Sequence, residues 1–579
     1  MKIKIFVIVL IIANSCLPAR YNPVGAQLPA KYFKLLEAAI PRVEERLNAE
    51  PGATLAILEA QPGWRHFPSF ILAPAVLYAK SHPSNKRRSD QRLLLLAQRI
   101  GDLLATEYDR GAYTSRHDHD WDTYMWLEAY RVLENALGEA RRERWKKALL
   151  ENLALLEPKL AERERYPWYN APFIITSPNH YAIYASTLLV AGRVFGKPEW
   201  ESLATRVLRR FVTEEQAPDG YWGEQSQAGP TTGYDFLTET QIALYWEYTK
   251  DPMALKALRR STDFHKYYTY PDGTPVETIN DRNRYWSVSR WGHFGFSNFE
   301  DGRRYAEFLT GFFPEEGDDL ESLGRIAQNA LYYREGKTAP IPQDLPQYAH
   351  TMKIPAGVRK TGPWVVCLSG LIAPKTILNN FFLDRQGNFS VFHKKAGLII
   401  TGANSKRQPE LATFVETIGE HITHMPLTSR LQMDKGLDRL SLSYDVFFAT
   451  LDVLPPSEKE LKFKFLVTYK WGEASASLNL QLILKPGQML ETGAGKKIML
   501  GEAKIALGKE DLGGWIRHNG WTLRLPENAR LEWPVFPFNP YADGPEVNIE
   551  RAVGRITIPL WEGMKERGNQ EFDFALSVD

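Results

Sequence analysis

Cysteine is nearly absent from this chain, with only Cys16 and Cys367 in 579 residues. A disulfide framework is therefore excluded, and stability has to come from buried core. An excess of either charge is also missing. The chain has 71 Lys and Arg against 69 Asp and Glu, a formal net of +2. That balance argues against a nucleic-acid partner or a broad membrane-binding field, although it leaves room for a local basic cleft. Long apolar runs are lacking too. The stretch from Ile5 to Ile12 is too short for a transmembrane helix, so no membrane span is expected. It follows Met1-Lys2-Ile3-Lys4 and precedes Val24-Gly25-Ala26, which together make the basic, apolar and cleavage parts of an export signal. Residues 1–26 are thus expected to be a signal peptide, and the mature chain to be periplasmic or extracellular. Cys16, after Ala13-Asn14-Ser15, is an alternative site of lipid attachment. Cys367, in the run Trp364 to Leu368, reads as a buried packing residue.

What the chain has in quantity is aromatic: 16 Trp, 26 Tyr and 28 Phe. Such rings serve as stacking platforms for sugars or as the core of a helical array. The length calls for two domains. From Leu28 to Tyr333 apolar residues recur three and four apart, the helical period. Helices are expected from Asp120, from His180 to Val194, from Phe236 to Tyr248 and from Phe299 to Gly311. Second helices fall between them, at Arg141 to Leu160 and Glu199 to Glu214. This is an array of helical hairpins. Its inner helices begin with aromatic and polar residues, which suggests a closed or partly closed α/α toroid, with an open solenoid as the competing geometry that sequence alone does not separate. Residues 27–333 are assigned to that toroid as the catalytic domain. The Pro-rich stretch Pro340 to Pro346 marks a linker at 334–350. Beyond it, strand-length runs at Trp364 to Leu368, Asn388 to His393, Gly397 to Thr401, Arg439 to Tyr444 and Lys462 to Val467 predict an antiparallel β-sandwich over 351–579.

Two motifs stand at predicted inner-helix starts. In Thr176-Ser177-Pro178-Asn179-His180-Tyr181, Asn179 could neutralise a substrate carboxylate and His180 act as base or second donor; the alternative for both is helix capping. In Asp219-Gly220-Tyr221-Trp222-Gly223-Glu224, running to Gly233-Tyr234, the glycines admit a ligand to the backbone and Tyr234 offers a phenol. Trp222, Tyr181 and Glu224 are expected to contact sugar. Arg282 or Arg284, beside Tyr285, supplies a planar fork for a uronate carboxylate. His293 and Asp120 complete the expected substrate-binding set. An amide, an imidazole and a phenol suit proton abstraction beside a carboxylate, whereas hydrolysis usually needs two carboxylates. Glu224, Glu239, Asp120 and Asp122 could supply those two for an inverting hydrolase. A non-catalytic glycan-binding protein is a third reading. No cofactor is required, but a structural divalent metal is conceivable at His117-Asp118-His119-Asp120 or at His393, His421 and His424.

At Ser177-Pro178-Asn179-His180, and at Asp219 to Glu224 leading to Gly233-Tyr234, the chain resembles heparinase II/III-like and alginate-lyase-like polysaccharide lyases. The layout of signal, toroid, linker and sandwich resembles theirs over most of the mature chain. The resemblance implies β-elimination on an acidic polysaccharide. It puts carboxylate neutralisation and proton transfer on Asn179, His180 and Tyr234. It further implies a histidine from the β-domain, for which His393 is the nearest candidate. The segment between Glu224 and Tyr234 departs from the family's pattern in length and content.

Overall fold

The computed structural model describes residues 28–113, 119–165, 178–223, 229–280, 287–315, 318–372, 387–402, 408–434, 436–471, 474–539, 544–545, 547–561 and 568–579. The expected signal peptide lies outside them. Helices fill the first part: α1 Leu28–Ala49, α2 Leu55–Glu59, α3 Leu72–Ala79, α4 Gln91–Asp109, α5 His119–Leu133, α6 Glu139–Ala154, α7 Leu156–Arg165, α8 Pro178–Phe195, α9 Pro198–Arg210, α10 Thr232–Thr249, α11 Pro252–Tyr267, α12 His293–Phe296, α13 Glu300–Thr310 and α14 Leu320–Tyr332. None is long and apolar enough to cross a membrane.

Burial separates inner from outer helices. On α9 only the stripe Trp200, Leu203, Ala204, Val207 and Leu208 is buried, the pattern of a helix with one wet face. On α10 every residue from Asp235 to Tyr245 is buried, so neighbours surround it. The inner helices pack in the order α3, α5, α8, α10, α12, α14, and α14 returns to α3. The ring is therefore closed. Gly324 of α14 permits that closure, because a Cβ there would lie 2.6 Å from the Ser69 carbonyl oxygen.

Two expectations are corrected. The helix expected from Phe299 to Gly311 is α13, an outer helix that buries one stripe, Tyr305, Ala306 and Leu309. The inner position belongs to the four-residue α12, too short to give a periodic signal. The single helix expected from Arg141 to Leu160 breaks at Leu155. Pro158, which has no N–H to give, then sits in the first turn of α7, where none is needed.

Contacts between inner helices keep one order. Glu239 of α10 lies against Gly292 and Gly295, while Trp246 Nε1 donates to Asn298 Oδ1 at 2.9 Å. Trp291 meets Arg325, and Phe294 N donates to Asn329 Oδ1 at 3.3 Å. The inner helices thus run parallel and present their N-termini at one mouth. Deeper in the ring, Glu128 of α5 is fully buried. It accepts hydrogen bonds from Tyr124 (2.8 Å), Tyr332 (2.6 Å), Tyr248 (3.3 Å) and Arg131 Nε (2.8 Å). Three inner helices, α5, α10 and α14, are joined there across the bore.

After Tyr332 the chain stays tied to the helices. Arg334 pairs with Glu247, and Ile341 is buried with Phe236, Phe296 and Tyr305. The first strand is Gln347–Thr351. Among the described residues the strands then form two large antiparallel sheets, of eleven and nine strands, and one two-stranded pair. The larger runs Gln347–Thr351, Ala356–Thr361, Trp364–Ser369, Phe389–His393, Gly397–Thr401, Ser475–Leu482, Val553–Trp561, Arg530–Val535, Ile505–Leu507. The centre of the smaller is Trp521–Arg524, Asn569–Val578, Glu460–Tyr469, Phe447–Val453, Asp438–Ser443. Strict alternation of burial along Asp438–Ser443 and Phe447–Val453 turns one face inward. Leu440, Phe447, Phe463 and Phe574 there share a core with Trp364, Val391 and Ile558 of the larger sheet. This is the expected sandwich.

The outer face of the larger sheet carries the helices. Tyr270 stacks on Phe392 at 4.9 Å and exchanges a hydrogen bond with Ser390 at 2.8 Å. Glu277 accepts from Thr401 Oγ1 and Gly402 N, both at 3.0 Å. Cys367 is buried in this same interface.

Candidate active site

The mouth is formed by helix starts, whose unpaired N–H groups give it a positive bias. Asn179 is the second residue of α8. It is fully buried, and neither amide atom has a hydrogen-bond partner. An unpaired buried amide costs about 1–3 kcal/mol, so its retention signals a task outside the fold's own hydrogen bonding. His180 is half-buried, its ring 5.4 Å from Trp121 and 6.3 Å from Tyr184. Tyr234, also half-buried, is in the first turn of α10. Ser186 Oγ of α8 donates to Gln241 Oε1 of α10 at 2.6 Å. Each of these lies seven positions, about two turns, after Asn179 and Tyr234 respectively. In parallel helices this register sets Asn179 and Tyr234 at one level, and the Trp121–His180 contact brings the start of α5 to the same level.

The start of α10 is held from two sides. Thr232 N and Oγ1 donate to Asn280 Oδ1 at 3.0 and 2.9 Å. Asp235 Oδ1 accepts from Trp222 N at 2.6 Å. The other Asp235 oxygen lies 2.9 Å from His265 Nε2. Burial raises the Asp235 carboxyl, against the pull of His265 and the Trp222 N–H. One turn on, Glu239 has no partner for either oxygen and fills the space left by Gly292 and Gly295, where a Cβ would collide with it. Burial first, then Asp235, pushes it well above the usual carboxylate range. Asp122 is fully buried and accepts from Ser69 Oγ at 2.8 Å. Glu239 and Asp122 are fully buried, as Asn179 is, so exposure does not separate these carboxylates from the expected lyase residues.

Three expected substrate contacts are corrected. Trp222 is core: its indole N–H is given to the Phe211 carbonyl at 2.9 Å and the residue is 2 % exposed. Tyr181 packs beside Tyr184 toward α7, near Glu162 and Arg163, and burial pushes its phenol up to about 12. His293 is fully buried; Nδ1 faces the Tyr32 hydroxyl at 2.7 Å and Nε2 faces the Ser289 carbonyl at 3.1 Å. These contacts fix a neutral imidazole, and burial lowers its pKa to about 3. Because the folded pKa is depressed below about 6.5, the unfolded chain takes up a proton that the folded chain refuses. Between pH 6.5 and 3, His293 should therefore subtract about 1.4 kcal/mol of stability per unit of falling pH. Urea denaturation of His293→Gln over that range should show a shallower pH dependence than the parent; an unchanged slope would refute the assignment.

Glu224, Arg282, Arg284 and Tyr285 lie outside the described residues, as does the side chain of Asp120. Among the described residues no group of three His, Cys, Asp or Glu could hold a metal ion, and His117 and Asp118 are not among them. His393 does not face the toroid. Ser390 and Phe392 on its strand meet Tyr270, so alternation turns His393 to the other face, where its ring lies 4.5 Å from Trp364.

The sequence reading missed Trp291 and Arg325. Arg325 lies on the face of α14 opposite the apolar stripe Leu320, Leu323, Ala327 and Ala330, where a charge reads as solvent-facing, yet the packed ring buries that face too. In a cavity of about 650 Å³ in the β-domain the two lining cations are both engaged: Arg359 forks Asp438, and Lys360 Nζ reaches the Gln343 and Leu345 carbonyls.

No family model and no curated protein matches this chain. Solved structures do. The Streptomyces coelicolor A3 chondroitin AC lyase in complex with chondroitin sulphate superposes with a TM-score of 0.52 at 12 % identity, over 97 % of this chain and 80 % of that one. A Paenibacillus xanthan lyase gives 0.53 at 10 % identity, over 96 % of this chain and 59 % of that one. The chain has a polysaccharide-lyase-like fold, an α/α toroid followed by an antiparallel β-sandwich.

Proposed function

We propose that this chain is an exported lyase that cleaves a uronate-containing polysaccharide by β-elimination, leaving a 4,5-unsaturated uronate. The observation that carries the reading is the unpaired, buried amide of Asn179 at the start of α8, beside α10, whose first turn holds Tyr234 at the matching register. Two fold relatives being polysaccharide lyases supports it. The C5 proton of a uronate is weakly acidic because its removal spreads charge onto the adjacent carboxylate. Asn179, His180 and a guanidinium, Arg282 or Arg284, hold that carboxylate and stabilise the charge as it develops. Tyr234 or His180 takes the C5 proton. The electron pair forms the C4=C5 bond, the C4–O4 bond breaks, and a phenol protonates the departing oxygen. No cofactor enters these steps.

The test is to incubate the protein with a panel of uronate polymers and follow near-ultraviolet absorbance. A time-dependent rise from the conjugated product is expected. New reducing ends without absorbance would establish a hydrolase instead, and tight binding with no product a glycan-binding protein.

A further inference from the structure

Arg325 is only 3 % exposed, yet its Nε and Nη2 have no hydrogen-bond partner. Its guanidinium lies 3.6 Å from the centre of the Trp291 ring and 6.0 Å from that of Trp121. Stacking on an indole holds the guanidinium plane and leaves its N–H edge unused. Nε and Nη2 form one edge of that plane, the pair that forks a carboxylate side-on. Glu321 is the nearest counter-charge at 3.8 Å, which balances the cation without consuming an N–H. Asp122 and Asp319 contribute weaker fields. Burial lowers the guanidinium pKa only to about 10, so the charge persists at neutral pH. Arg325, Trp291, Glu321 and Ser322 line a cavity of about 230 Å³. Trp121 stands between this group and His180, with its ring edge-on to both Trp291 (5.9 Å) and His180 (5.4 Å).

We infer that Arg325, seated on Trp291 at the α14 side of the mouth, is an anion subsite that grips a carboxylate or sulfate on the sugar next to the reacting uronate. The identity of the reacting sugar rests on the lyase reading; the subsite itself rests on the unpaired guanidinium edge, the indole beneath it and the cavity. Glu321 gates the grip: an arriving anion must compete with it for the Nη2 side.

Three probes separate the sources of the anion. Polygalacturonate carries a carboxylate on the neighbouring sugar, chondroitin sulfate a sulfate there, and unsulfated chondroitin neither. Binding is measured by calorimetry in full-length Tyr234→Phe protein, so that polymer is not consumed. Arg325→Met should weaken binding of at least one anion-bearing probe by about tenfold to a hundredfold and leave unsulfated chondroitin unchanged. Arg325→Lys should restore part of the loss, because it keeps the charge and forfeits the fork. Glu321→Gln, at a partly exposed position, should tighten the same probe. Which probe responds names the anion. Equal losses on all three probes, no loss on any, or failure of every anionic probe to bind would overturn the subsite. If the native protein yields no ultraviolet product but the Arg325 pattern appears, the lyase reading fails and the subsite stands. If product forms and the pattern is absent, the reverse holds.

Discussion

Tyr234→Phe is expected to lower kcat by about 10²–10⁴-fold while leaving oligosaccharide binding nearly intact. The substitution removes one hydroxyl and keeps the ring. The first turn of α10 does not depend on that hydroxyl, since Asn280 holds Thr232, and Asp235 holds Trp222. A fall in rate would therefore report chemistry and not a shifted helix. Stopped-flow absorbance gives the rate and calorimetry the affinity. Rates equal to the parent would pass the proton transfer to His180. Loss of binding in step with rate would make Tyr234 a contact for the sugar.

Asn179→Leu is expected to separate activity from stability. Removing a preorganised donor at developing charge should reduce kcat by about 10²–10³-fold. Stability should hold or rise by about 1 kcal/mol, because the amide is buried with both atoms unpaired and an apolar side chain of like volume ends that penalty. The direction distinguishes this role from helix capping. A cap replaced by leucine loses about 1 kcal/mol. A lowered melting temperature with activity retained would sink the catalytic assignment.

Much of the fold was legible in the sequence because period and composition change together near Tyr333. The change coincides with the end of α14 at Tyr332 and the first strand at Gln347. Strands such as Gly397–Thr401 and Asp438–Ser443 fall within a residue of their expected bounds. Closure of the ring was not legible, because it depends on Gly324 meeting Ser69, a contact between residues 255 positions apart. The place of α12 was not legible either, since four residues carry no period. Residue types placed Asn179 and Tyr234 at helix starts, where α8 and α10 have them, but types alone could not tell a sugar platform from core. Trp222 and His293 have the chemistry of ligand contacts, and each spends its polar atoms on the protein's own backbone or on Tyr32. Arg325 was overlooked for the opposite reason: its helix reads as an ordinary amphipathic one, and only packing reveals an unspent guanidinium edge.

The knot of hydrogen bonds at Glu128 decides how a polymer can meet this ring. Tyr124, Tyr248, Tyr332 and Arg131 converge there from three inner helices, so the bore is stoppered below the mouth. A ring with a stopper cannot be threaded. On the lyase reading, a long glycan would lie across the rim or lower one end into the mouth, and leave by the way it came. On that reading a polymer's approach is one-sided, from the rim where α14 and α8 face each other across Trp121.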